Sequence, residues 1–265
     1  MDGIADYRFV DQLGTGGAGV TYLAARPERL PVAADHVAVK VLSRRATHEE
    51  FHRIADELRL VASIGSPYLA EVYDVGLADG RVYVAMAHHP DGSLGRPATP
   101  MADGRPSQVV ADAARGAHAL HEAGVVHRAI TPTAILLSGG RGRLADIGLA
   151  HLQAPGMSST GVSGLAALEY VDPALLRGGP ASRQTDIWSL GIVLHRAVAG
   201  EGVYGPLAST DTVSALREFL GARPAPSAAL DPAYRAVVER CLADDPAARY
   251  ATAAEVADAI EGIGR

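Results

Sequence analysis

From Tyr7 to Leu13, and again from Val20 to Ala25, apolar and polar positions alternate as they do in half-buried strands, with a cluster of glycines between the two runs. Val37 to Leu42 is rich in β-branched residues and reads as a third strand. Thr47 to Ile64 then switches to helical spacing, with Phe51, Ile54, Leu58, Val61 and Ala62 on one side, and Gly65-Ser66-Pro67 stops it. Strands resume at Val72 to Leu77 and Arg81 to Ala87, which face each other across Ala78-Asp79-Gly80 as a hairpin. Beyond His88-His89-Pro90-Asp91-Gly92 the pattern is mainly helical: Pro106 to Ala123 with Gly124 as its stop, Thr185 to Ala199 with Gly200, then Val213 to Leu220, Ala233 to Cys241 and Ala253 to Ile260. The change of period divides the chain into a small β-rich lobe (1–86), a hinge (87–93) and a larger helical lobe (94–265), an α+β bilobal arrangement.

At 265 residues and 48% hydrophobic content the chain can bury a large core, as one domain or as two lobes around a cleft. No apolar run reaches the roughly 18 residues a membrane span needs, and Asp2 and Asp6 break up any basic leader, so a cytoplasmic protein with no direct membrane insertion is expected. Cys241 is the single cysteine, which excludes an internal disulfide and a thiolate metal cluster. A net charge of -6 with signs interspersed offers no basic face for nucleic acid. Nucleotides and proteins remain as partners, the oligomeric state being open.

Gly14-Thr15-Gly16-Gly17-Ala18-Gly19 fits G-x-G-x-x-G, a pattern shared by dinucleotide folds and kinases and close to an ordinary glycine-rich hairpin. A dinucleotide site would open a helix after the third glycine, whereas Val20-Thr21-Tyr22-Leu23 alternates as a strand. Val37-Ala38-Val39-Lys40 resembles the protein-kinase strand whose lysine meets the α and β phosphates, and Glu57 falls where that family keeps the lysine's partner glutamate.

Gly124-Val125-Val126-His127-Arg128-Ala129-Ile130-Thr131-Pro132-Thr133-Ala134 resembles the kinase catalytic loop, His-Arg-Asp-x-x-x-x-Asn. Ala129 stands where the family has its proton-accepting aspartate, Thr131 where it has a lysine, and Ala134 where it has the asparagine that binds the second magnesium. Asp146-Ile147-Gly148 resembles Asp-Phe-Gly, and Leu168 to Ala174 resembles the end of the activation segment, with Ala174 at the usual glutamate and Ala167 at the usual threonine. Asp186 to Gly191 and Cys241 to Arg249 match two later motifs of the large lobe.

In order and spacing, Tyr7 to Ile260 is similar to bacterial-type Ser/Thr protein kinases. The resemblance implies a protein-kinase-like fold, ATP against Gly14, Gly16, Gly19, Lys40 and Glu57, and hinge contacts through Ala87 and His89 with Met86 behind them. It further implies Mg2+ at Asp146 alone, as a single weakened site. With Ala129, Thr131 and Ala134 at degraded positions, it also implies a pseudokinase: not an enzyme, but a nucleotide-binding signalling or scaffold module that acts through a protein partner. The alternative is a weak or atypical Ser/Thr kinase using a non-standard group, and a purely structural scaffold is the third reading.

Three smaller expectations follow. Arg249 has lost its family partner at Ala174, and Asp172 is the nearest replacement acid, because a buried unpaired arginine would cost several kcal/mol. Phosphate on Ser158, Ser159, Thr160 or Ser163 could dock on Arg128, although such residues are common in plain loops. His118, His121 and Glu122 lack the order of a zinc motif and read as structural.

Overall fold

The computed structural model describes residues 2–16, 18–147, 168–204 and 212–263. The small lobe is an antiparallel sheet in the order β1-β2-β3-β4-β6-β5, built from β1 (Gly3–Ile4), β2 (Tyr7–Gly16), β3 (Gly19–Ala25), β4 (His36–Arg45), β5 (Val72–Ala78) and β6 (Arg81–Met86). Helix α1 (His48–Ile64) crosses between β4 and β5. Thr47 and Glu50 cap its start reciprocally, Gly65 ends it at φ 63, and Ile54, Ala55, Leu58 and Val61 form its buried face.

Strand parity sorts the residues of β4. Val37, Val39 and Val41 join Tyr7, Tyr83 and Ala85 in one apolar cluster, while Ala38 and Leu42 join Ile54 and Leu58 of α1 in another. Lys40 has the parity of Ala38 and Leu42, so its ammonium lies on the α1 side of the sheet.

In the large lobe a second sheet runs β10-β9-β7-β8, from β7 (Gly92–Ser93), β8 (Arg96–Pro97), β9 (Ile135–Ser138) and β10 (Arg141–Leu144). Gly92 and Ser93 therefore belong to this sheet, and the connection between the two sheets is 87–91. Around it stand α2 (Arg105–Glu122), α3 (Pro173–Leu176), α4 (Arg183–Ala199), α5 (Thr212–Gly221), α6 (Pro232–Cys241) and α7 (Ala253–Glu261). The helical expectations agree with these to within about two residues, the ordinary uncertainty of a helix end.

Helix α4 is buried continuously from Thr185 to His195, which is why its sequence is apolar around much of its circumference. Gly191 permits this packing, since a Cβ there would lie 2.5 Å from Cys241 Cβ. The lobes meet where Leu144 of β10 pairs in parallel with Leu69 in the connection between α1 and β5, with Ala70 N–H donating to Leu144 O at 2.9 Å and Leu144 N–H to Tyr68 O at 2.8 Å. Asp146 follows directly, and is thereby carried to the junction of the lobes.

Candidate active site

Two strands and a glycine turn form the roof of the cleft. The β2–β3 hairpin pairs Gly14 with Thr21, Thr15 with Val20 and Gly16 with Gly19, so strand follows loop as the alternation predicts. A Cβ at Gly14 or Gly16 would meet no atom within 4 Å, whereas one at Gly19 would lie 2.1 Å from Val41 O. The third glycine is thus required by the close approach of β3 to β4. The first two leave open backbone of the kind that can approach phosphate oxygens.

Lys40 is 5% exposed, and its Nζ lies 2.7 Å from Asp146 Oδ1. Glu57, the expected partner, does not hold this ammonium. Asp146 sits in the left-handed region at φ 64, which brings its carboxylate to Lys40, while the positive neighbour acting on Glu57 is the Arg128 guanidinium. Burial pushes the Glu57 carboxyl above its ordinary range, and Arg128 pulls it back only in part.

The catalytic-loop backbone is fixed from below by one buried carboxylate. Asp186 of α4 accepts from His127 N–H and His121 Nε2 through Oδ2, and from Arg128 N–H through Oδ1, each at 2.8 Å. His127, fully buried, donates from Nε2 to Ala145 O at 2.8 Å and accepts from Ala129 N–H at Nδ1, at 3.3 Å. Those partners define the tautomer and make His127 a structural strut, not a proton carrier. Sequence reading placed Asp186 in a motif without giving it this task; an acid at the head of the largely apolar run Ile187-Trp188-Ser189-Leu190 is the signal that could have disclosed it.

Within that frame Ala129 is partly exposed, and Thr131 Oγ1 lies 3.1 Å from Thr133 Oγ1. Ala134 is 2% exposed, its N–H donating to Thr131 O at 3.0 Å and its carbonyl accepting from Ala145 N–H at 2.8 Å. The loop keeps its backbone bonds while its methyl side chains offer neither proton acceptor nor metal ligand. Gly148, Ala167 and the segment with Ser158, Ser159, Thr160 and Ser163 lie outside the described residues.

At the hinge, Ala87 N–H donates to Glu71 O at 2.9 Å and His89 O accepts from Gly92 N–H at 3.1 Å. Among the described residues no backbone bond uses the Ala87 carbonyl or the His89 N–H. One acceptor and one donor two residues apart suit the polar edge of a purine. Met86, 6% exposed, closes a small cavity behind the hinge with Leu58, Ala70, Val84 and Ala145.

A protein kinase domain model matches residues 7–259. This chain is a member of the bacterial-type Ser/Thr protein kinase family. Serine/threonine-protein kinase PknJ of Mycobacterium tuberculosis is 34% identical over 96% of the chain, and PknK of the same organism 33% over 98%. PknB, also from that species, is 31% identical over 94%. The chain spans 45%, 24% and 41% of the lengths of these three relatives. Among solved structures, the kinase domain of M. tuberculosis PknI superimposes with a TM-score of 0.69 at 26% identity, covering 98% of each chain.

Membership corrects one expectation. The inference from Ala129, Thr131 and Ala134 that the chain is not an enzyme is overturned by these relatives, which are named as serine/threonine-protein kinases and align with nearly the whole of it. The physical reason is that phosphoryl transfer rests largely on positioning and electrostatic stabilisation, so a missing base slows the reaction without removing its other supports. The family uses ATP and Mg2+, and among the described residues no helix is long and apolar enough to cross a membrane.

Proposed function

We propose that the chain is an ATP-binding Ser/Thr kinase domain that transfers phosphate slowly, without a side-chain general base, and that works in the cytoplasm in a signalling complex with a protein partner. The observation that carries this reading is the pairing of Lys40 with Asp146 at 2.7 Å beside open glycine backbone and two uncommitted hinge groups, opposite an alanine at the base position.

In this reading Lys40 holds the α and β phosphates, the turn at Gly14 and Gly16 lets backbone approach them closely, and Ala87 and His89 make the adenine contacts. Magnesium, when bound, would supply charge neutralisation of the phosphates, and Asp146 is the residue that would hold it. The Asp186 strut keeps Arg128, Ala129 and Thr131 in a fixed loop, so the hydroxyl of a docked protein is oriented by the loop's shape. Its proton passes to solvent or to a phosphate oxygen, since Ala129 cannot take it.

Loss of a general base lowers a rate by about 10²- to 10⁴-fold, which from about 1–100 per second leaves roughly 10⁻⁴ to 1 per second. Transfer of label from radioactive ATP to a generic protein substrate tests this. The wild type should exceed Lys40→Met, and Ala129→Asp should gain at least about 100-fold. A wild-type signal equal to that of Lys40→Met, or one already at about 1–100 per second, contradicts the proposal.

A further inference from the structure

We infer that nucleotide binding in this cleft does not depend on a divalent cation, a conclusion that rests on the ATP-binding reading above. The two-cation arrangement that the family implies does not fit the donors present. Ala134, 2% exposed, puts a buried methyl where a ligand oxygen would be needed, and Ala129 adds none. Thr131 and Thr133 bring neutral hydroxyls that hydrogen-bond each other at 3.1 Å, poor ligands for a hard cation that prefers carboxylates. Among the described residues no group of three or more His, Cys, Asp or Glu could hold a metal. The donor set reduces to Asp146, and its Oδ1 is already engaged by Lys40 Nζ at 2.7 Å.

Charge explains why this removes a requirement as well as a site. A cation is needed where a triphosphate must lie beside unneutralised carboxylates, because it screens phosphate from carboxylate and ties both together. Here the carboxylate expected at 129 is absent, Asp146 is balanced by Lys40, and Glu57 lies in the field of Arg128. A metal-free triphosphate therefore meets glycine backbone and a charge-balanced Lys40–Asp146 pair, with no net anionic wall against it. The cation is left with one shared ligand on the protein side, so it adds little to affinity.

Calorimetric titration of the purified chain with ATP, in excess Mg2+ and in excess EDTA, tests the inference. The two dissociation constants should agree within about threefold, and ADP should show the same indifference. Ala129→Asp with Ala134→Asn restores anion and ligand, and should bind ATP at least about tenfold tighter with Mg2+ than with EDTA. If the buried substitution unfolds the chain, Ala129→Asp alone, at a partly exposed position, serves the same comparison. Wild-type binding that tightens about tenfold or more with Mg2+ overturns the inference and leaves ATP binding standing. So does a restored variant as indifferent to the cation as the wild type. Absence of heat and of any thermal shift in both buffers removes the ATP-binding reading, and this inference with it.

Discussion

Replacing Asp172 with alanine strips the counter-charge from a guanidinium that cannot lose its own. Arg249 is 4% exposed and Asp172 2%, and Arg249 Nη1 lies 2.5 Å from Asp172 Oδ2. The remaining partners of Arg249 are neutral: Ala243 O at 2.9 Å, Gln184 O at 2.8 Å and the Trp188 ring, 4.8 Å from the guanidinium to its centroid. Asp172 has a second task, since its Oδ1 accepts from Ala174 N–H at 2.8 Å and caps α3. Breaking one partner out of a buried pair costs about 3–5 kcal/mol, and removal of a cap about 1 more. The surviving carbonyl bonds favour the lower end, so about 4 kcal/mol is expected, or roughly 10 °C in melting temperature for a chain of this size. Urea or thermal unfolding of Asp172→Ala measures it. Because Ala174 is two residues away, Asp172→Ala with Ala174→Glu should recover at least half the loss by restoring an acid within reach of Arg249. A shift under about 2 °C for the single variant, or no recovery in the double, would show that this pair does not hold the end of the segment to the lobe.

Two further outcomes are expected. His195 is fully buried, its Nδ1 donating to Glu201 O at 3.1 Å while Nε2 accepts from Ser227 N–H at 2.9 Å; burial holds its pKa below the ordinary 6.5, and His88 and His89 move the same way. A depressed histidine favours the fold fully above the unfolded pKa and loses that contribution as pH falls through the folded one, so melting temperature should drop below about pH 6.5, and less steeply in His195→Gln; an acid slope unchanged in that variant would refute the assignment. Gly19→Ala should cost about 1–3 kcal/mol by urea titration, because its Cβ must displace the Val41 carbonyl, whereas Gly16→Ala, with open space around it, should cost under about 1 kcal/mol.

Much of the architecture could be read from the residues because each signal was local. Thr47 with Glu50 and Gly65 mark both ends of α1, and Asp79-Gly80, at φ 51 and 72, make the β5–β6 turn. The β9–β10 hairpin was missed although Gly139-Gly140, at φ 57 and 78, carries a two-residue turn signal. Its strands are only four residues long, too short for alternation to stand out between the catalytic-loop pattern and Asp146. Asp172 as the replacement for Ala174 was legible because burying Arg249 demands some acid and only nearby positions can supply one. The partner of Lys40 was not, since Glu57 and Asp146 are both carboxylates within possible reach. Their ranking follows from a backbone angle at Asp146 and from the placement of α1, neither of which is written in spacing.

The same contrast explains how a family can be plain in a sequence whose catalytic-loop side chains depart from the family pattern. Residues that hold the loop, Asp186, His121 and His127, are buried and joined by hydrogen bonds, so replacing any of them strands polar groups at a cost of about 1–3 kcal/mol or more. Among the described residues Ala129 bonds through its main-chain N–H to the His127 ring, and at 134 the bonds again run through the main chain, so side-chain oxygens can be lost there without loss of fold. Folding therefore constrains the frame tightly and the reacting groups hardly at all. Fold membership identifies the family this cleft belongs to, while the slow rate and the indifference to a cation proposed for it turn on a few side chains on which the fold makes no demand.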